Sequence, residues 1–348
     1  MLVSDFDYNL PEERIIKFPP EKRGSTRLLV LDRKTGAVKN SFYKNLDDFL
    51  APGDVLVLND TKVMQSRLFT ELPDGRKREL VVLENHHETN PELRKVMYRG
   101  KLHSGDVLTV LDFNVEKTSL GGKTNEKIVV EKVLDGGIAL VKSNTNLDRL
   151  TEDYGTVPLP PYLHRDAEKA DKSRYQTVWA KNIGSAAAPT ASLNMTTDLL
   201  DRLKNKGVKI EYLTLHVGLG TFLPIRSDKI EDHQMHSEWF SLPRETLKAI
   251  KSAKENNHKV VAVGTTVART LEFYAKTKKT EGEDNIFIFP GFEFKIIDAL
   301  LTNFHAPRST VLMLAAAFAG WDNLKPAYDF AVKNKYNFLS YGDSMLIC

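Results

Sequence analysis

A break in texture between about residues 63 and 150 constrains this chain more than any other feature. Within it, Glu79 to Glu84, Asp106 to Leu111, Lys127 to Glu131 and Ile138 to Lys142 are short and rich in β-branched residues. Ser104-Gly105, Gly121-Gly122 and Asp135 to Gly137 punctuate them. Short strands at regular spacing with glycine turns predict a small antiparallel barrel or sandwich.

Outside this stretch, strands and helices alternate. Leu28 to Asp32, Val55 to Leu58, Val208 to Leu215 and Lys259 to Gly264 read as strands, as do Ile286 to Phe289 and Ala299 to Leu301. Thr197 to Lys206 reads as a helix stopped by Gly207, and Pro243 to Asn256 as one opened by proline. Ser309 to Ala319 and Leu324 to Asn334 complete the helices, and Thr265-Thr266 sits where another begins. Such alternation predicts an α/β domain. The β unit is therefore expected as an insertion into it.

A net charge of +3 over 348 residues gives no global basic field, so any nucleic acid must be held through a local patch. Basic residues do group locally: Lys22-Arg23 with Arg27, Arg76 to Arg78, Arg94-Lys95 with Arg99 and Lys101, and Lys169, Lys172 and Arg174. One cysteine, Cys348, excludes a disulfide framework and a cysteine zinc site, and fits a reducing cytoplasm. The opening residues lack a signal-peptide pattern, and the longest apolar run, Val311 to Ala319, is too short to span a bilayer. A cytoplasmic protein without a membrane partner is expected.

Thr214 to Phe222 carries the strongest chemical signal. A strand ends in His216, and Gly218 and Gly220 follow at a spacing that lets the backbone approach a ligand. Other polar clusters are Asn59 to Lys62, Asp232 to Glu238, Gly264 to Arg269, Thr302 to His305 and Ser340 to Asp343. In an α/β sheet the carboxyl ends of strands gather at one edge, so these clusters can converge. Thr265-Thr266 can serve an anion at a helix start or simply cap the helix. Arg269 can pair with a carboxylate or lie on the surface. His233 and His236 lack the HExxH pattern of a zinc protease, and no metal is expected. There is no GxGxxG, GxxxxGK[ST] or GxSxG, which removes the common dinucleotide, P-loop and hydrolase readings.

Taken in order, Phe6, Leu10-Pro11, Pro52 to Thr61, Pro158 to Tyr162, Tyr175 to Val178, Ala188 to Ala191, Thr214 to Gly218, Gly220 to Phe222, Glu231 to His233, Met235 to Glu238, Val263 to Thr266, Pro290 to Phe292, Leu301 to His305 and Ser340 to Asp343 span nearly the whole chain. In this collinear set the chain resembles the S-adenosylmethionine:tRNA ribosyltransferase-isomerase family of queuosine biosynthesis. The resemblance implies a discontinuous α/β main domain, residues 1–62 and 151–348, with a small antiparallel β-barrel domain, residues 63–150, inserted. It implies transfer and isomerisation of the ribosyl part of S-adenosylmethionine onto 7-aminomethyl-7-deazaguanine (preQ1). That base stands at the wobble position of tRNA with a GUN anticodon. Epoxyqueuosine forms, and adenine and methionine leave. S-adenosylmethionine is a co-substrate, no cofactor is expected, and a monomer is expected.

The sulfonium acidifies the neighbouring ribose carbon, and adenine leaves more easily when given a proton. Groups titrating near neutrality suit both needs, so His216, His233, His236 and His305 are the catalytic candidates. Asn59, Thr61, Thr190, Gly218, Gly220, Thr221, Glu238, Thr265, Thr266, Arg269, Asn303, Tyr341 and Asp343 are the candidate substrate-binding residues. Arg269 or the Thr265-Thr266 helix start would hold the methionine carboxylate. Glu238 or Asp343 would orient a histidine or bind the ammonium. The chain departs from the family pattern at Ser192 and Asn194, where glycine and histidine are usual, and at Val267, where a hydroxyl is lost. If Asn194 occupies a catalytic position, a diverged homologue with an altered substrate or a non-catalytic tRNA-binding protein becomes the expectation.

Overall fold

The computed structural model describes residues 1–83, 93–112, 122–218, 225 and 227–348. Gly220, Thr221 and the turn residue Gly121 lie outside the described residues.

Val55 to Asn59 shows why the main sheet forms. Successive side chains of a strand point to opposite faces. Val55 and Val57 enter one apolar core, and Leu56 and Leu58 enter a second on the other face. Leu28 to Leu31 divides in the same way. A strand buried on both faces must be apolar at every position, which the continuous runs supply. The helices Arg244–Glu255, Thr265–Thr277, Thr310–Ala319 and Trp321–Lys333 contribute Ile250, Leu271, Leu314 and Leu324 to the first core. The helix Thr197–Asn205 and the turn Tyr43–Phe49 bring Leu199, Leu203 and Leu46 to the second.

The sheet has nine strands. Its centre is parallel: Lys209–Leu215 pairs with Val55–Asn59, which pairs with Val260–Val263, which pairs with Ala299–Asn303. Ser344–Ile347 runs antiparallel to Ala299–Asn303 and parallel to Arg27–Leu31, which is followed by Val38–Phe42. At the other edge Glu238–Ser241 and Glu281–Asp284 add antiparallel strands.

Six strands, Arg67–Glu71, Lys77–Val82, Arg94–Arg99, Val107–Asp112, Gly122–Val133 and Ile138–Ser143, close into a barrel. Leu68, Leu80, Val96, Val110, Val130 and Val141 form its core. Arg67–Glu71 and Arg94–Arg99 were not read as strands from the sequence, because charged residues interrupt their apolar pattern. A helix, Leu147–Tyr154, shares the barrel core through Leu147 and Leu150, so residue 150 falls inside it. Asn146 caps this helix by accepting from the Asp148 and Arg149 amides.

Ile286 to Phe289 is not a strand. The Asp284 carboxylate accepts the Ile286 N–H at 2.9 Å, ending the strand Glu281–Asp284 and starting an irregular segment. Phe287 and Phe289 then pack on each other with ring centroids 5.2 Å apart.

Gly155 ends the helix beside the barrel. A Cβ there would lie 1.9 Å from the Gln65 carbonyl oxygen and 2.3 Å from that of Thr151. Both obstacles are backbone, which cannot swing away. Gly155→Ala is therefore expected to cost about 2–3 kcal/mol, the upper part of the usual overpacking range. Urea denaturation checks this; an unchanged midpoint would mean the junction can open without cost.

Candidate active site

The parallel strands end together, so Asn59, His216, Gly264 and Asn303 come to one edge of the sheet. Ser344–Ile347 runs the other way and brings its leading residue, Asp343, to the same edge. A cavity of about 890 Å³ opens there. Clefts of this size hold a nucleoside-sized ligand. Of the candidate residues, Thr190, Thr265, Thr266, Asn303 and His305 line it.

Gly264 makes the strand-to-helix turn with φ +92°, a conformation that favours glycine. The helix Thr265–Thr277 starts there without a side-chain cap, so its first amides are left for a ligand at the cavity wall. The Thr266 hydroxyl is buried and has no partner among the described residues. Across the cavity, Thr190 donates to the Asn303 side-chain oxygen at 2.9 Å.

His305 is held on three sides. Its Nε2 lies 2.8 Å from the Thr302 hydroxyl. Its backbone N–H donates to the Tyr328 hydroxyl at 3.1 Å, and its backbone carbonyl accepts from the Tyr8 hydroxyl. Burial pushes the imidazole down to about 3, so it is neutral near pH 7 rather than titrating there. A histidine buried neutral binds fewer protons folded than unfolded. Its stabilising contribution is complete above the ordinary pKa near 6.5 and is lost as pH falls from there towards 3. The expected slope is at most about 1.4 kcal/mol per pH unit in that window. His305→Gln should flatten it; denaturation curves at stepped pH would reveal an unchanged slope if the burial is illusory.

The remaining candidates lie elsewhere. His216 is buried, with Nδ1 2.8 Å from the Thr61 hydroxyl and its ring stacked on Trp239. Asn59 joins the two strand ends there, donating to the Leu215 carbonyl and accepting from the amides of Leu215 and Thr61. This cluster does not line the cavity. His233 packs edge-on against Phe287, and burial followed by the nearby His236 lowers its pKa. His236 is exposed, and neither lines the cavity.

Arg269 is not open to a substrate carboxylate. It is buried, 2.5 Å from Glu238 and 3.8 Å from Asp284. Burial opposes its charge, but the two carboxylates outweigh it and push the pKa up. Burial in turn raises Asp284, whose Oδ2 has no hydrogen-bond partner among the described residues. Glu238 is also claimed by the Gly218 N–H at 2.8 Å. Asp343 accepts from the Arg27 and Asn337 amides and pairs with the Arg27 guanidinium at 3.0 Å, so it anchors its turn rather than a ligand. Tyr341 donates to Asp171 and is buried behind the wall.

The structure adds wall residues that were not in the candidate set: Tyr162, Tyr175, Thr302 and Ser340, with Asp228 and Arg308 on the lining as well. Tyr162 and Ser340 share a hydrogen bond at 2.5 Å. Burial raises both tyrosines, Tyr162 to about 12, so they stay protonated. Tyr162, Tyr175 and Ser340 each lie within the collinear motifs, and taking those motifs whole would have found them. Nothing in the sequence singled out Asp228 or Arg308. Ser192 and Asn194 are buried and do not line the cavity. Asn194 donates to the Gly342 carbonyl at 3.3 Å, supporting the turn that carries Ser340.

A mixed α/β sheet with an inserted closed barrel and a cavity at its strand ends defines the class. The queuosine biosynthesis protein family model matches residues 3–347, and the chain belongs to that family. It is 52% identical over 357 residues to an S-adenosylmethionine:tRNA ribosyltransferase-isomerase of Chlorobium chlorochromatii, with both chains covered in full. A protein of the same description from a Sulfurihydrogenibium species is 46% identical over 355 residues, again with full coverage of both. The crystal structure of an S-adenosylmethionine tRNA ribosyltransferase from Thermotoga maritima is 33% identical, covers 99% of this chain and 100% of its own, and superposes with a TM-score of 0.56.

Proposed function

We propose that this chain is an S-adenosylmethionine:tRNA ribosyltransferase-isomerase. It moves the ribosyl group of S-adenosylmethionine onto 7-aminomethyl-7-deazaguanine in tRNA, giving epoxyqueuosine, adenine and methionine. The observation that carries this reading is the full-length family match, with relatives near 50% identity along the whole chain. The tRNA has a GUN anticodon, the enzyme acts as a cytoplasmic monomer, and no cofactor takes part. Among the described residues no helix is long and apolar enough to cross a membrane.

The cavity suggests a division of labour. The uncapped start of Thr265–Thr277 suits the methionine carboxylate. Thr190 and Asn303 offer polar atoms to the ribose, and Tyr162 and Tyr175 a wall for a base. Neutral His305 can accept the proton released beside the sulfonium. The same ring, in the cavity wall, can return that proton to the departing adenine, so one group serves both transfers. Ser192 and Asn194 are buried and do not line the cavity, which favours retained catalysis over a binding-only protein.

The test is an incubation with S-adenosylmethionine and tRNA carrying the deazaguanine base. Adenine and methionine should appear in equal amounts, and only when that tRNA is present. Release of S-adenosylhomocysteine instead would point to methyl transfer and sink the reading.

A further inference from the structure

Two basic groups far apart in sequence meet on one face of the α/β domain. Arg23 reaches across to donate to the carbonyls of Gln176 at 3.0 Å and Ser173 at 3.5 Å. Arg174 reaches back to donate to those of Glu21, at 3.2 Å, and Pro20. Burial and then the like charge of Arg174 hold Arg23 below its ordinary range. Neither guanidinium has a carboxylate partner among the described residues; their hydrogen bonds go to backbone carbonyls. Lys22 and Lys172 are exposed and stand in no ion pair among the described residues. Next to them, Arg165 lies over the ring of Phe18 at 4.3 Å, and Phe18 is 50% exposed. Arg165 itself is neutralised by Asp171. Glu21, Asp166 and Glu168 are the exposed acids on these segments; Asp166 pairs with Arg67, and among the described residues none forms an ion pair with Lys22, Arg23, Lys172 or Arg174.

The barrel pairs several of its cations, Arg76 with Asp74, Arg94 with Asp148 and Lys123 with Glu71, but it too has Arg78 bonded to the Lys77 and Lys101 carbonyls and exposed Arg99, Lys101 and Lys132. What sets the face apart among the described residues is the clasp of two guanidinium groups beside an exposed aromatic ring, which the barrel lacks. Uncompensated positive charge is what a polyanion backbone seeks, and a half-exposed aromatic ring suits an unpaired base. The face is also joined to the cavity. Tyr175, in the cavity wall, directly follows Arg174, and Tyr162 lies just before Arg165.

We propose that this face binds the sugar-phosphate backbone of the RNA substrate. Arg23 and Arg174, flanked by Lys22 and Lys172, contact phosphates, and Phe18 stacks on a base. The inference rests on the proposed function, and it assigns RNA binding to the α/β domain rather than the barrel. An RNA held here enters the cavity past Tyr162 and Tyr175.

The test uses the full chain and a fluorescently labelled tRNA transcript with a GUN anticodon, titrated by anisotropy from about 50 to 200 mM salt. The variant is Lys22→Glu with Lys172→Glu, both exposed, so the fold is kept. The control is Lys101→Glu with Lys132→Glu on the barrel. The first pair should weaken binding at least about tenfold and flatten the salt dependence by one to two phosphate equivalents. The control should stay within about twofold. A further variant, Phe18→Ala, should weaken binding with the salt slope unchanged. Unchanged binding by the face variant, or a larger loss in the barrel control, overturns the inference while leaving turnover, and so the enzyme reading, intact. Face-dependent binding, with no adenine release when S-adenosylmethionine and tRNA carrying the deazaguanine base are supplied, would uphold the inference and defeat the enzyme reading. No binding by the native protein defeats both.

Discussion

Arg269→Met is expected to destabilise the protein by about 3–5 kcal/mol, because it strands buried carboxylates without their cation. Glu238 and Asp284 have side chains 3% and 0% exposed, and Arg269 is their shared partner. Glu238 also holds the Gly218 amide, so its loss of a partner reaches the strand end that carries His216. The double variant Arg269→Met with Glu238→Gln should recover part of the loss, since one unpaired charge is removed with the cation. Urea denaturation followed by tryptophan fluorescence reads both values. A single-variant loss below about 1 kcal/mol would show that water reaches the pair and that the network is weak. Where the variant remains folded, its affinity for S-adenosylmethionine should be close to native, because Arg269 does not face the cavity.

His305→Ala is expected to lower the rate of adenine release by about a hundredfold to ten-thousandfold, the usual worth of a positioned proton-transfer group. Thr302→Val should cost less, since it frees the Nε2 without removing the ring. His233→Ala and His236→Ala should stay within about threefold, as neither side chain lines the cavity. Single-turnover assays at saturating substrate separate these outcomes. A His305→Ala effect below tenfold, or a large loss at His233 or His236, would reassign the proton chemistry.

These two predictions mark where sequence reading succeeded and where it stopped. The parallel strands were legible because burial on both faces demands unbroken apolar runs such as Val55 to Leu58. Convergence of their polar ends followed from topology alone, and it brought Thr265, Thr266, Asn303 and His305 to one cavity, which Thr190, a candidate only through the family motifs, also lines. Hydropathy could not find Glu281–Asp284, whose residues are polar because the strand lies at the sheet edge. It misplaced a strand at Ile286 to Phe289, whose apolar side chains pack without pairing in the sheet. Residue type also cannot say which way a strand-end side chain turns. His216 turned towards Thr61 and Trp239, and Arg269 was taken by Glu238. In the sequence the basic face stood as two separate charge groups among four, Lys22-Arg23 with Arg27 and Lys169, Lys172 and Arg174, with nothing to say that they meet. The clasp between Arg23 and Arg174 became visible once the chain was folded.

The most direct measurement follows the ribose carbons. The protein would be incubated with S-adenosylmethionine labelled with carbon-13 throughout the ribose, and with tRNA carrying 7-aminomethyl-7-deazaguanine. Nucleosides from the digested tRNA would be read by mass spectrometry. The account predicts that the complete label appears in epoxyqueuosine, matched by unlabelled free adenine and methionine. Label left in S-adenosylhomocysteine or in unreacted S-adenosylmethionine, with the tRNA base unchanged, would contradict it.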